Sequence, residues 1–359
     1  GWLAAGHGWE PALTAAIAVL IITCPCALAL AVPAVQVVAI SRLLKRGIIV
    51  KAADGLERLA EVDTVVLDKT GTLTLPEPRL AAGASVSAGS LDRAASLAAA
   101  SRHPYARAIV AAARARGLDV TPAAGVREVA GAGLELDGDK GPVRLGSATF
   151  CRIAGESDTD ATLWLCEPDA AQVAFRFEET VRPDAAAVVA RLRQSGFHIE
   201  LLSGDRPAPV AAAARTAGIV SFTAGQKPDA KLARLDTLAR QGRKVLMIGD
   251  GLNDAPALAA GHASLSPASA ADISQTVADA IFQGERLAPI IETLVVAKAA
   301  RRRALENFAI AIGYNLVFVP LAIAGWVTPL LAAIAMSASS IAVTANALRL
   351  GLGRSEITP

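Results

Sequence analysis

Two stretches of this chain carry no charged side chain at all: residues 11–41, a run of 31, and residues 307–348, a run of 42. A helix of about 20 apolar residues crosses the hydrocarbon of a bilayer, so the first run holds one span and the second holds two. The second is divided at Gly325-Trp326-Val327-Thr328-Pro329, where Gly and Pro end helices and Trp suits the lipid–water interface. Core helices of a large soluble protein would show a polar face, and these runs show none.

Basic residues fix the orientation. Arg42, Lys45 and Arg46 follow the first span, Lys298 and Arg301 to Arg303 precede the second, and Arg349 and Arg354 follow the third. All mark the cytoplasmic side, which places the intervening segment of about 250 residues in the cytoplasm and residues 1–10 outside. The rest of the composition narrows the class. With 35 Lys+Arg against 33 Asp+Glu and 53% hydrophobic residues, the chain is neither a disordered tail nor a basic nucleic-acid binder. Its four cysteines are too few for a disulfide scaffold. It starts at Gly1, directly before a span and with no signal peptide, and reads as a fragment or a processed chain.

Within the cytoplasmic segment, Asp63-Thr64-Val65-Val66-Leu67-Asp68 is a β-branched run that ends in a carboxylate and a polar turn, Lys69-Thr70-Gly71-Thr72. Residues 198–202 lead in the same way into Ser203-Gly204-Asp205, and residues 244–248 into Gly249-Asp250-Gly251. Helical stretches at 183–194 and 208–217 lie between. Strand alternating with helix predicts a doubly wound parallel sheet, with ligands gathered at the strand C-termini. Asp68, Ser203, Asp205 and Asp250 are expected to converge there. Residues 78–178 interrupt the alternation and read as an inserted α+β lobe. The expected division is therefore 1–46 for the first span, 47–77 and 179–296 for the sheet domain, 78–178 for the insert, and 297–359 for two spans and a tail.

Carboxylates facing each other at close range repel unless a cation lies between them, and Mg²⁺ between Asp68 and Asp250 would also hold a phosphate. Asp68 can then attack phosphorus in line and become an aspartyl phosphate. Lys231 is the candidate to neutralise the transferring oxygens, and the Ser203 hydroxyl with the Gly204 amide would hold one of them. In the first span, Cys24-Pro25-Cys26 sets two thiols around a helix-breaking residue. In an intact helix they would point about 200° apart; proline breaks the ladder and lets them converge. Thiolates are soft ligands that suit Cu(I), with Zn²⁺ a competitor.

Asp68-Lys69-Thr70-Gly71-Thr72-Leu73-Thr74 and Gly249-Asp250-Gly251-Leu252-Asn253-Asp254-Ala255-Pro256 resemble the phosphorylation and hinge motifs of P-type ATPases, whose catalytic domain is haloacid dehalogenase-like. The resemblance implies that Asp68 is phosphorylated from ATP, that the Thr70 carbonyl and Asp250 help bind Mg²⁺, and that Asn253 and Asp254 support the site. The insert would then bind ATP. Ser101-Arg102-His103-Pro104 is similar to the His-Pro element of the heavy-metal branch, in which the His orients the adenine region; taken alone it equally suits a helix cap. Gly131 and Gly133 look like that branch's glycine pair, with Gly146 a further glycine near the nucleotide; alone, Gly-Ala-Gly suits a hairpin turn better. Many copper members carry Glu five residues before the His, where this chain has Ala98.

Tyr314-Asn315 and Met336-x-x-Ser339-Ser340 resemble the monovalent copper class, and neither run contains the intramembrane acid and lysine of zinc pumps. The implied copper ligands are Cys24, Cys26, Tyr314, Asn315, Met336 and Ser340, although Met336 and the serines also suit plain packing. The wording around Cys24 looks most like bacterial copper ATPases tied to cytochrome oxidase assembly. The whole resemblance implies a multi-pass protein of the bacterial inner membrane that exports Cu(I), or equally Ag(I), with a copper chaperone as a partner class and no nucleic acid. It lacks the family's actuator domain, with its Thr-Gly-Glu loop, and the earlier membrane helices. As such it is expected to bind nucleotide without completing turnover. The competing readings are a membrane-tethered phosphatase of the same superfamily and a non-pumping metal-binding regulatory module. Cys151 and Cys166 read as ordinary buried thiols.

Overall fold

The computed structural model describes residues 2, 6, 8–52, 54–81, 86–138, 140–153, 162–168, 170–250, 254–270 and 272–352. The chain divides into two compact units, residues 74–182 and the remainder. The insert is thus a few residues wider at each end than the sequence suggests. Its neck is an antiparallel pair, with Thr74 bridged to Val181 and the Leu75 amide donating to the Thr180 carbonyl at 2.8 Å.

The larger unit is built on a seven-stranded sheet ordered Ile48–Val50, Ala280–Phe282, Ala263–Pro267, Val245–Ile248, Thr64–Asp68, His198–Leu202, Ser221–Thr223. All neighbours run parallel except the first pair. From Thr64–Asp68 the chain winds outward to one side and then returns to the other at Val245–Ile248, so the strand order reverses between these two. That crevice is where a doubly wound sheet binds ligands. Both strands are buried along their whole length, as continuous Val/Leu/Ile runs covered on two faces should be.

Among the described residues, three apolar segments are long enough to cross a membrane: Trp9–Leu44, Ala288–Ile323 and Pro329–Gly351. The first is not one helix. It breaks after Trp9–Ile22, resumes as Cys26–Leu30, breaks again, and continues as Pro33–Leu44. The second break, ahead of Pro33, interrupts what the sequence reads as a single span; a proline cannot donate to the carbonyl four residues back. Asn307 Nδ2 donates to the Ala31 carbonyl at this break (3.0 Å), and Asn346 Nδ2 donates to Asn307 Oδ1 (3.0 Å), joining all three segments by buried hydrogen bonds. Small residues let the helices approach closely. Ala18, Ala322 and Ala332 form one contact cluster with Ile22 and Val327, and Ala27, Ala311 and Val343 form another.

The Ala288–Ile323 helix runs unbroken from the sheet domain into the membrane bundle. The first amides of a helix have no partner within it, and here they are capped from far away in sequence. Asp184 Oδ1 accepts from the Leu287 amide at 2.9 Å and Asp184 Oδ2 from the Ala288 amide at 2.8 Å. Arg42 pairs with Glu292 at 3.2 Å and tethers the end of the first segment to the same helix.

The inserted unit is a six-stranded antiparallel sheet, ordered Arg79–Leu80, Val173–Glu178, Thr162–Cys166, Gly141–Gly146, Gly133–Gly138, Arg127–Val129, with the helices Ala88–Ala98 and Pro104–Ala115. Leu91, Ala95, Ile109, Leu145 and Phe175 are among its buried core.

Candidate functional site

Strand register builds the catalytic crevice. Leu67 pairs with Ile248, so Gly249 and Asp250 emerge beside Asp68; on the other side Asp68 pairs with Leu202, so Ser203, Gly204 and Asp205 emerge there. Carboxylate oxygens of Asp68, Asp250 and Asp254 lie within 4.8 Å of one another. Lys231, in the first turn of the Pro228–Arg240 helix, reaches Asp68 Oδ1 at 2.5 Å and Asp254 Oδ1 at 2.6 Å and is itself buried. The turn after Asp68 requires a residue without a side chain, because only glycine adopts a left-handed backbone freely. Gly71 has φ +67°, and a Cβ placed on it would lie 1.4 Å from Asp250 Oδ2.

Burial, then repulsion from Asp254, pushes the Asp68 carboxyl up to about 6, against the pull of Lys231, as desolvation and a like charge both disfavour the ionised form. Burial works against the charged form of Lys231, yet Asp68 and Asp254 outweigh it and hold its pKa above the ordinary lysine value. The three clustered carboxylates could hold a hard divalent cation such as Mg²⁺, with Asp68 and Asp250 as its ligands. Asp205 stands apart from this cluster, paired with the buried Lys69 ammonium at 2.6 Å and accepting from the Thr70 hydroxyl at 3.3 Å. Burial would raise its pKa, but these two partners bring it below the usual carboxylate range. Sequence reasoning named both Lys69 and Asp205 without pairing them. The Ser203 hydroxyl accepts from the Asp205 amide (3.2 Å), while Gly204 is exposed. Asn253 lies outside the described residues.

In the membrane unit the proline break brings the two thiols together, with Cys24 Sγ and Cys26 Sγ 2.6 Å apart. The Tyr314 hydroxyl, Asn315 Oδ1 and Ser339 Oγ are buried and have no hydrogen-bond partner among the described residues. Met336 and Ser340 are half-buried. Ala332, Ser339, Val343 and Asn346 form the buried stripe of the third helix, at the i, i+7, i+11, i+14 spacing of one face. The resemblance implies Ser340 as a ligand; Ser339, its neighbour, lies on this stripe with a hydroxyl that has no hydrogen-bond partner among the described residues.

Comparison with known proteins agrees with this architecture. Residues 62–262 match the family model for haloacid dehalogenase-like hydrolases. The chain is 45% identical to the nitrogen fixation protein FixI of Bradyrhizobium diazoefficiens over 97% of its own length and 48% of the relative's. It is 34% identical to the probable copper-exporting P-type ATPase V of Mycobacterium tuberculosis over 98% and 48%. A crystal structure of a zinc-transporting PIB-type ATPase superposes with a TM-score of 0.74 at 30% identity, covering 97% of this chain and 60% of that one. The chain belongs to the P-type ATPases, within the haloacid dehalogenase-like hydrolases. It spans about half the length of the curated relatives it matches.

In a P-type ATPase the inserted unit is the nucleotide-binding lobe, and its predicted residues have identifiable surroundings here. His103 caps the Pro104–Ala115 helix, its Nδ1 accepting from the Tyr105 amide at 3.3 Å, so that one of the orphan donors of the first turn is satisfied. The His103 ring lies 5.3 Å from that of Tyr105, which stacks on Phe177 at 4.5 Å. Gly133 and Gly146 pair across two strands, and each fills the space the other's Cβ would need: a Cβ on Gly133 would meet Leu145 O at 2.4 Å, and one on Gly146 would meet Ala132 O at 2.4 Å. These two glycines are required by backbone packing, whereas Gly131, with φ +71° and open space beside it, is free to meet a ligand. Ala98 lies in the apolar core, so the copper members' Glu would be buried there. A carboxylate reaches this turn from elsewhere, since Glu128 accepts from the Ser101 hydroxyl at 3.2 Å. No spacing rule could have found it, because the two residues sit on different elements.

Proposed function

We propose that this protein is the catalytic and partial membrane portion of an ATP-driven pump that exports Cu(I) from the cytoplasm through a phosphoenzyme at Asp68. The observation that carries the reading is the pair of converging thiols inside the first span, in the same compact unit as the Asp68 crevice. A membrane-tethered phosphatase would need the crevice and have no use for the thiols.

An Asp68 carboxylate oxygen forms a bond to the γ-phosphorus of ATP as the bond from that phosphorus to the β,γ-bridging oxygen breaks, and ADP leaves. Lys231, 2.5 Å from Asp68 Oδ1, favours the ionised carboxylate that attacks. Lys231 neutralises charge on the transferring group, and the exposed Gly204 amide with the Ser203 hydroxyl orients an oxygen of it. Mg²⁺ held by Asp68, Asp250 and the Thr70 carbonyl would supply further charge neutralisation when bound. His103, Gly131, Gly133 and Gly146 would receive the nucleotide, with Lys69, Asp205, Asn253 and Asp254 supporting the phosphate site.

Copper is favoured over zinc by the donors. Cys24, Cys26 and Met336 are soft ligands, Tyr314, Asn315 and Ser340 would add neutral oxygens, and residues 11–41 and 307–348 contain no Asp, Glu, Lys or His. One relative is described as copper-exporting, and one structural neighbour as zinc-transporting. Phosphorylation would bias a two-state arrangement that exchanges inward for outward access to the thiols.

The test is the radioactive phosphoenzyme formed from γ-labelled ATP in membranes carrying the protein. It should require Cu(I) and disappear in both Asp68→Asn and Cys24→Ala. Label that persists in Cys24→Ala would replace the pump by the phosphatase.

A further inference from the structure

The Ala288–Ile323 helix carries a feature that phosphoryl transfer does not use. Where it leaves the sheet domain, a groove of about 610 Å³ opens on one side, lined by Lys298, Arg301, Arg302 and Glu306 and then by Leu305 and Ala309. These residues recur at the spacing of a single helix face. Cations occupy the first two turns of the stripe and apolar side chains the next, and Ile312 and Leu316, 60% and 75% exposed, continue it into the charge-free span.

The cations are unequally engaged. Glu306 is taken by Arg302 at 3.1 Å and Arg303 at 2.6 Å. Arg301 makes no ion pair or hydrogen bond among the described residues, and the Lys298 ammonium lies over the Phe197 ring at 4.2 Å with no carboxylate beside it. Two cations without an anion thus sit immediately before an exposed apolar track that enters the bilayer.

We propose that this groove is a binding site for an anionic phospholipid of the cytoplasmic leaflet, its phosphate held between Lys298 and Arg301 and an acyl chain laid along Leu305, Ala309 and Ile312. Basic residues beside a span attract anionic headgroups, and this stripe adds an apolar path that a soluble phosphate could not use. Ala60, from the Gly55–Glu61 helix of the sheet domain, forms part of the same wall, so a bound lipid touches both the catalytic domain and the membrane helix.

The experiment titrates the 359-residue chain, in neutral detergent, with phosphatidylglycerol or phosphatidylcholine and counts bound lipids by native mass spectrometry. The first phosphatidylglycerol should bind about 30-fold more weakly to the Lys298→Gln/Arg301→Gln variant. It should change by less than about threefold in Lys298→Arg/Arg301→Lys, which keeps the charges and controls for folding, and in Lys45→Gln/Arg46→Gln, which removes cations at the end of the first span. Phosphatidylcholine should show no tight first site, and millimolar inorganic phosphate should not displace phosphatidylglycerol. Equal losses in the Lys298/Arg301 and Lys45/Arg46 glutamine variants would reduce the site to diffuse surface charge, equal affinity for the two lipids would remove the headgroup contact, and displacement by inorganic phosphate would make it a free-phosphate site. Any of the three overturns the proposal.

Discussion

The Asp68 crevice is buried and the paired thiols of the membrane segments are half-buried, and the two polar sites are solved in opposite ways. In the crevice the charges hold one another: Lys231 bridges Asp68 and Asp254, and Lys69 holds Asp205. In the bundle the Tyr314 hydroxyl, Asn315 Oδ1 and Ser339 Oγ are buried without a hydrogen-bond partner among the described residues, and the Cys24 and Cys26 thiols face each other. The first site is charged before any ligand arrives, and a ligand must exchange existing contacts. The second holds no Asp, Glu, Lys or His in its spans, and an ion entering it would supply contacts to polar atoms that have none among the described residues. Charge can be stored in the sheet domain because lysines are at hand; within lipid an unpaired charge is too costly, so neutral soft donors are used instead.

The sharpest way to break this contrast is Asp68→Asn, which keeps the shape of the side chain and removes its nucleophilic oxygen. Phosphoenzyme should fall below detection, a loss of at least about 1,000-fold, with the thermal melt preserved because Lys231 still pairs with Asp254. Next in size is Lys231→Met. It leaves Asp68 and Asp254 facing each other without their counterion and should destabilise the ligand-free chain by about 3–5 kcal/mol in chemical denaturation. Millimolar Mg²⁺ should restore more stability to this variant than to the parent chain. If Mg²⁺ stabilises the two equally, the carboxylates are not competing for a cation and the crevice is not self-compensated.

Gly71→Ala acts through geometry. Its Cβ would overlap the Asp250 carboxylate at 1.4 Å, and a left-handed backbone conformation adds about 1–2 kcal/mol for a residue with a side chain. Phosphorylation should drop by at least about tenfold and the Mg²⁺ requirement should shift to higher concentration. An alanine variant with unchanged Mg²⁺ dependence would remove Asp250 from the cation site.

How far the sequence carried differs between the two sites for the same physical reason. The crevice was legible because a parallel sheet turns linear order into spatial order: an apolar run ending in Asp68, and two later runs ending before Ser203 and Asp250, must deliver their ends to one edge. Contacts that depend on side chains crossing between elements were not legible. Nothing in the spacing signals that Lys69 pairs with Asp205, that Glu128 reaches Ser101, or that Asp184 caps a helix 103 residues later. The membrane unit was legible in length and polarity but not in helical phase. Pro25 announced the first break, and Pro33 offered the same signal for the second, which apolar composition alone read as continuous helix. Choosing between Ser339 and Ser340 needs the rotation of the third helix, and that is set by packing of Ala332 and Val343 against the other segments.

Ser339→Ala has the smallest expected effect and tests the membrane half of the contrast most directly. A buried hydroxyl with no hydrogen-bond partner is a liability, because its desolvation is uncompensated, and such a group typically costs about 1–3 kcal/mol. Removing it should therefore leave the stability of the ligand-free bundle unchanged or raise it by about 1 kcal/mol, measured by chemical denaturation in neutral detergent. If Ser339 is a ligand, Cu(I) affinity, measured by competition with a chelator of known strength, should fall in the same variant. Ser340→Ala, off the buried stripe, should change both quantities less. Should Ser339→Ala destabilise the empty chain as an ordinary loss of a hydrogen bond would, the hydroxyl already has a partner. The membrane site would then be self-satisfied like the crevice, and the difference between the two would disappear.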